Sequence, residues 1–201
     1  MFNKFLTGIL QQNFVTLRLV TRIVRNYNMK KYVVVLCLFM ALTVNAQEIK
    51  WYSFEEAVEL NKKEPKKILI DVYTDWCGYC KIMDKNTFGN KIIADYMNKA
   101  YYPVKFNAEQ KEDVKYNEQT YKFVAQGARG FHELAYALLN GQMSYPSVVF
   151  LDEKIRIIHI QKGFVQPKPF DEIIKYIGGN FYETTSWEDW RSGYSSPFSS
   201  N

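Results

Sequence analysis

The chain has 201 residues, with 26 basic and 21 acidic side chains and a net charge of +5. Six of the basic residues and none of the acidic ones fall within residues 1–46, so the rest holds 20 basic against 21 acidic, net −1. The positive excess is therefore local to the N-terminal stretch, and no nucleic-acid or other polyanion partner follows from it.

That first stretch reads as a leader. From Met29 the order is Lys30-Lys31, an apolar run from Tyr32 to Val44, then Val44-Asn45-Ala46 before Gln47, the pattern of a secretory signal. The run is shorter than the roughly 20 residues that a membrane-spanning helix needs. Cleavage after Ala46 is expected, leaving an exported mature chain with no stable membrane span, periplasmic if the source is a Gram-negative bacterium. Leu36 rather than a small residue precedes Cys37, which argues against a lipid anchor. Residues 1–28 read as an over-long start upstream of Met29, an Arg-rich transit peptide being the other reading. The 155 residues that remain are one domain's worth and can bury a proper core.

Ser53 and Glu56 form a capping-box pattern at the head of an amphipathic helix that Glu64-Pro65 ends. Ile68 to Tyr73 is an apolar run suited to a strand covered on both faces, interrupted by Asp71. An acid there is either exposed at the strand's end or functional beneath the surface. Trp76-Cys77-Gly78-Tyr79-Cys80 closes the strand and opens a helix through Ile82 and Met83, both expected in the core, to near Phe88. Asp75 reads as a solvated loop acid. A short helix at 91–100 and a strand at 101–107, carrying Lys105, follow. Residues 112–124 alternate about Asn117-Glu118 and read as a β-hairpin insertion. Residues 127–130 read as a loop, and 131–139 as an amphipathic helix with His132 a surface residue.

Tyr145-Pro146 opens the next strand, where a proline is tolerated because no ladder donor is needed. Residues 155–161 supply its hairpin partner and 169–177 the last helix of the domain, taken as 47–180. In the tail, 181–201, Thr185 and Glu188 suggest a second capping box, and the aromatics a helix docked back on the body. Residues 195–201 are expected to be disordered.

The cysteine pair carries the chemistry. At a helix N-terminus, free N–H groups and the dipole favour the Cys77 thiolate, making it the attacking sulfur. Cys80 lies one turn on along the same face and can resolve the resulting mixed disulfide. Zinc would need two further ligands, and the chain offers only His132, His159 and Cys37. A purely structural disulfide is disfavoured because so small a loop constrains little of the unfolded chain.

The segment from Asp71 to Lys81 resembles the active site of the thioredoxin superfamily. Within it, the closer likeness is to secreted bacterial thioredoxin-like proteins and the thioredoxin-like domain of the membrane reductant conductor, a thiol:disulfide interchange protein. Three separated features carry the resemblance over about residues 50–178: an acid six residues before the first cysteine, Lys105 in the next strand, and Tyr145-Pro146. It implies an α/β thioredoxin-like fold, a central mixed sheet flanked by helices, with the hairpin inserted before the helix that precedes a cis-proline strand. It also implies a buried Asp71 that exchanges a proton with Cys80, a supporting Lys105 beside it, and Trp76, Tyr145 and Pro146 as substrate-binding residues. Tyr145 is bulky where many relatives have Thr, Ile or Val.

The function expected is thiol–disulfide exchange on exported proteins. It needs no bound cofactor and no metal. Its partners are protein disulfides and an external electron donor or acceptor, and the chain acts as a monomer. Two rivals stay open: a redox-inactive binding module, and a reductant dedicated to one client such as an apocytochrome.

Overall fold

The computed structural model describes residues 48–198. The leader expected at 1–46 and the last three residues lie outside the described part.

Helix α1 (Phe54–Lys63) opens with the expected capping box: Ser53 Oγ accepts the Glu56 N–H, and Glu56 Oε2 accepts the Ser53 N–H at 2.8 Å. Strand β1 (Lys67–Tyr73) follows, then helix α2 (Gly78–Met83), which continues as one π-helical passage over Asp84–Phe88. Next come α3 (Lys91–Ala100) and β2 (Tyr101–Asn107). Two small hairpins intervene, β3 (Val114–Tyr116) with β4 (Gln119–Tyr121), and β5 (Phe123–Gln126) with β6 (Arg129–His132). Then come α4 (Glu133–Leu138), β7 (Ser147–Leu151), β8 (Ile157–Lys162), α5 (Pro167–Gly178) and α6 (Trp187–Gly193).

The main sheet runs β2-β1-β7-β8, with β1 parallel to β2 and antiparallel to β7. This is the mixed sheet of a thioredoxin-like fold. Side chains alternate across it. Ile68, Ile70, Val72, Val104 and Phe106 face a core shared with α1 and α4. Leu69, Tyr101, Val148 and Phe150 face a second core with Met83, α3 and α5. By the same alternation Asp71 and Lys105, register partners on adjacent strands, lie on the second face, the one that α2 covers. Each fully buried Ile or Leu here contributes about 1.5–3 kcal/mol relative to exposure, so the sheet is fixed mainly by its apolar residues.

Several expectations need correction. Ile82 is 44% exposed, whereas Met83 is fully buried; they differ by 100° on the helix and only one can face the sheet. Residues 127–130 are not a free loop: Gly127-Ala128 is the two-residue turn of the second hairpin, and Arg129-Gly130 open β6. Gly127 sits at φ +60°, as the first central position of a two-residue turn requires. A Cβ on Gly130 would lie 2.2 Å from the Phe123 ring, so only glycine lets this strand cross it. The following helix is correspondingly shorter, Glu133–Leu138.

His132 is buried, not a surface residue. Its Nδ1 accepts the Leu134 N–H at 3.2 Å, capping α4, and its Nε2 donates to the Glu112 carbonyl at 3.1 Å. Burial pulls its pKa down, so it stays neutral and structural. In the tail the N-cap is Ser186, one residue after the expected Thr185, with its Oγ accepting the Asp189 N–H. Residues 195–198 have defined partners: Ser196 Oγ donates to Asp171 at 2.8 Å and Phe198 packs on the second core.

Candidate functional site

The end of β1 delivers the chain into Thr74-Asp75-Trp76, and the Cys77 N–H bonds back to the Thr74 carbonyl at 3.1 Å. Cys77 is the N-cap of α2. Its sulfur accepts the Cys80 N–H at 3.1 Å, so a backbone donor that the helix leaves unpaired points at it. Cys77 and Cys80 are joined as a disulfide with Cα atoms 5.3 Å apart. Both are buried, while their neighbours Trp76 and Tyr79 are 51% and 65% exposed. Tyr79 lies tilted near the Phe164 ring, at 6.3 Å.

On the sheet face that α2 covers, Asp71 Oδ2 accepts from Lys105 Nζ at 2.7 Å, and Oδ1 is buried without a partner. Burial pushes the Asp71 carboxyl up to about 6, the Lys105 ammonium opposing it only in part. For Lys105, burial pulls the ammonium down, but the carboxylates of Asp71 and Asp84 outweigh it and its pKa is raised. Lys105 bonds to Asp84 as well, so it bridges strand and helix. Asp84 stands four residues after Cys80, on the same face of the helical passage. The Asp71–Lys105–Asp84 group therefore ties β1 to the helix one turn from Cys80. The rings of Trp51, Tyr73 and Phe88 surround the ammonium at 5.1, 4.9 and 5.5 Å.

The Tyr145–Pro146 bond is cis. Pro146 is buried and its carbonyl accepts the Gly163 N–H at 2.8 Å. Tyr145 is half-buried and meets the Trp76 ring edge-on at 6.0 Å. Burial first, then Glu109, raises the Tyr145 phenol to about 12. Trp76 Nε1 donates to Glu109 Oε1 at 3.1 Å, and the Arg129 guanidinium lies 4.3 Å above the indole. Asp75 takes a hydrogen bond from Asn107 Nδ2 at 3.1 Å and remains exposed.

The structure thus brings six of the singled-out residues into two linked groups. Cys77 and Cys80 form the disulfide, with Trp76 next to Cys77 in sequence and its ring against Tyr145, and Asp71 with Lys105 lies on the covered face of the sheet. Sequence reasoning missed Asp84, Glu109 and Arg129. The i, i+4 spacing from Cys80 could have found the first; Glu109 comes from the turn after β2 and Arg129 from the second hairpin, so the fold alone brings them to Trp76. Among the described residues, no three His, Cys, Asp or Glu side chains come together as a metal site.

Fold and site define a thioredoxin-like protein with the C-x-x-C pair of a disulfide oxidoreductase. Residues 39–169 match the model of a family called Thioredox_DsbH and described as a protein of unknown function, DUF255, and the chain belongs to that family. Over 67 residues it is 31% identical to spermatogenesis-associated protein 20 of Rattus norvegicus, a match covering 33% of this chain and 8% of that one. The chain spans less than a tenth of the length of the first curated relatives it matches. Among solved structures, a DsbH oxidoreductase aligns with a TM-score of 0.50 at 16% identity, covering 68% of this chain and 89% of that one. A thioredoxin from Thermus thermophilus gives 0.50 at 16% identity, with 67% and 93% covered. At such identities these two likenesses establish the fold.

Proposed function

We propose that this chain exchanges disulfides with exported proteins, Cys77 attacking and Cys80 resolving. The observation that carries the reading is the place of Cys77 at the head of α2, its sulfur facing the Cys80 amide. In the reduced protein that donor and the helix dipole favour the Cys77 thiolate. The thiolate attacks a substrate disulfide, forming a mixed disulfide and releasing one substrate thiolate, which takes up a proton. Cys80 then loses its proton to the Asp71 carboxylate, attacks Cys77 Sγ, and releases the second substrate thiol. Two electrons pass to the substrate and the Cys77–Cys80 disulfide remains. An external dithiol donor must reduce it again, or a disulfide acceptor drives the reverse flux.

Protein disulfides are the substrates the family membership supports, and Trp76, Tyr145 and Pro146 form the surface such a segment would meet. No helix among the described residues is long and apolar enough to cross a membrane. Export, periplasmic in a Gram-negative source, rests on the acid-free leader and on Val44-Asn45-Ala46. The protein acts as a monomer in this reading.

Turnover of a small disulfide protein with dithiothreitol tests the chemistry. Cys77→Ser removes turnover, and Cys80→Ser holds the mixed disulfide, which non-reducing electrophoresis detects. Full turnover by Cys77→Ser would overturn the assignment. N-terminal sequencing of protein from its host tests export, with Gln47 as the expected first residue.

A further inference from the structure

The β5–β6 hairpin does more than thicken the fold, because the residue after its turn reaches the indole next to the attacking cysteine. Arg129, the first residue of β6, lays its guanidinium 4.3 Å above the Trp76 indole, and Trp76 immediately precedes Cys77. Trp76 in turn meets Tyr145, next to the cis-proline, and bonds to Glu109. Four segments far apart in sequence therefore build one rim beside the attacking sulfur. A guanidinium stacked on an indole uses its π-face and leaves its N–H edge for other partners. Arg129 is exposed, and among the described residues no carboxylate lies within ion-pair distance of it. An Arg fork fixed in orientation by stacking, with its donors unspent, matches a carboxylate in two parallel hydrogen bonds.

We propose that Arg129 is a specificity-determining residue that favours substrate disulfides flanked by an acidic side chain. This rests on the thiol–disulfide exchange proposed above, with the same electron balance: reduced Cys77 and Cys80 give two electrons to the substrate disulfide and two substrate thiols result. The Glu109 carboxylate at the edge of the same indole opposes an acidic substrate. Its indole bond occupies one oxygen, and it lies outside ion-pair distance of Arg129, so it weakens the preference without cancelling the contact.

The test is single-turnover reduction by the pre-reduced protein of three peptide homodisulfides that differ only in the residue beside cysteine: Glu, Gln or Lys. Hydroxyethyl disulfide serves as an uncharged control substrate. The wild type is expected to attack the Glu peptide about threefold faster than the Gln peptide, the scale of an exposed charge pair, and the ratio should shrink with added salt. Arg129→Gln brings the Glu-to-Gln ratio to one or below, Arg129→Glu turns the preference toward the Lys peptide, and Glu109→Gln raises the ratio. Equal rates for the Glu and Gln peptides in the wild type, or a preference that survives Arg129→Gln, overturns this inference alone as long as hydroxyethyl disulfide is still reduced. Failure to reduce even that compound overturns the exchange reading and this inference with it.

Discussion

Strand β1 is buried from Lys67 through Val72, while in β5 only Phe123 is even half-buried. The main sheet is covered on both faces by helices, and its register follows from apolar residues that have nowhere else to go. The two inserted hairpins have strands of three or four residues and little to bury. They are held at their bases instead, by Val114 in the first core and by His132, whose ring packs on Phe106 at 5.3 Å. The Lys122 and Glu133 backbones add one bond at 2.9 Å between the hairpins and α4. The cysteine pair thus sits on the part that carries the buried core. The rim proposed to meet a substrate is completed by a part that hangs from a few anchors. Stability and selectivity are separable here, and substitutions can pull them apart.

The largest effect on the insertion should come from His132→Ala. It removes a helix cap, a buried hydrogen bond to Glu112 and a ring packed on Phe106, so we expect a loss of about 3 kcal/mol. Urea unfolding measures it, and native-state hydrogen exchange should show residues 112–132 opening before the main sheet. A loss spread evenly over both regions would break the distinction between them.

Asp71→Asn acts on the sheet in the opposite direction. The folded carboxyl titrates near 6, above its ordinary 3.8, so folding opposes its ionisation. That cost is present at pH 7 and fades as pH falls through about 6 toward 4, where folded and unfolded chains are both protonated. The variant should therefore be about 2 kcal/mol more stable at pH 7, with the gain vanishing near pH 4. Resolution of the mixed disulfide should slow in the same variant, and the wild-type fall in that rate below about pH 6 should disappear. Single-turnover kinetics against pH checks both; a slower first attack with normal resolution would contradict the role given to Asp71.

The smallest stability effect is expected at Arg129→Ala, within about 0.5 kcal/mol, because an exposed side chain is removed. Thermal unfolding checks this. A larger loss would mean that the hairpin depends on the indole stack for its fold.

The same contrast explains what could be read in advance. Ser53 with Glu56, the run from Ile68, the C-x-x-C and Tyr145-Pro146 are local patterns, and each announces its element. The pairing of Asp71 with Lys105 followed from the resemblance and is set by parallel register. The second hairpin was hidden because its strands carry no alternation, and its turn signal, Gly127 followed by Ala128, is a single glycine among exposed residues. The burial of His132 is hidden for a related reason: imidazole gives no periodic signal, and only the path of β6 takes it under the first hairpin. Arg129 could not be found without that path.

The closing segment bears on where the chain can be cut. Gly178-Gly179 looks like a natural end, but Asp171 and Glu172 on α5 are buried and take partners from the C-terminal tail. Tyr194 and Ser196 donate to Asp171, Arg191 pairs with Glu172, and Trp187 and Trp190 pack on Tyr176 at 5.2 and 5.3 Å. A protein truncated after Gly179 would rehydrate both acids, at little cost to them, and would uncover the aromatic side of α5. Its failing would be colloidal rather than catalytic: an intact dithiol on a body that sticks to its own kind.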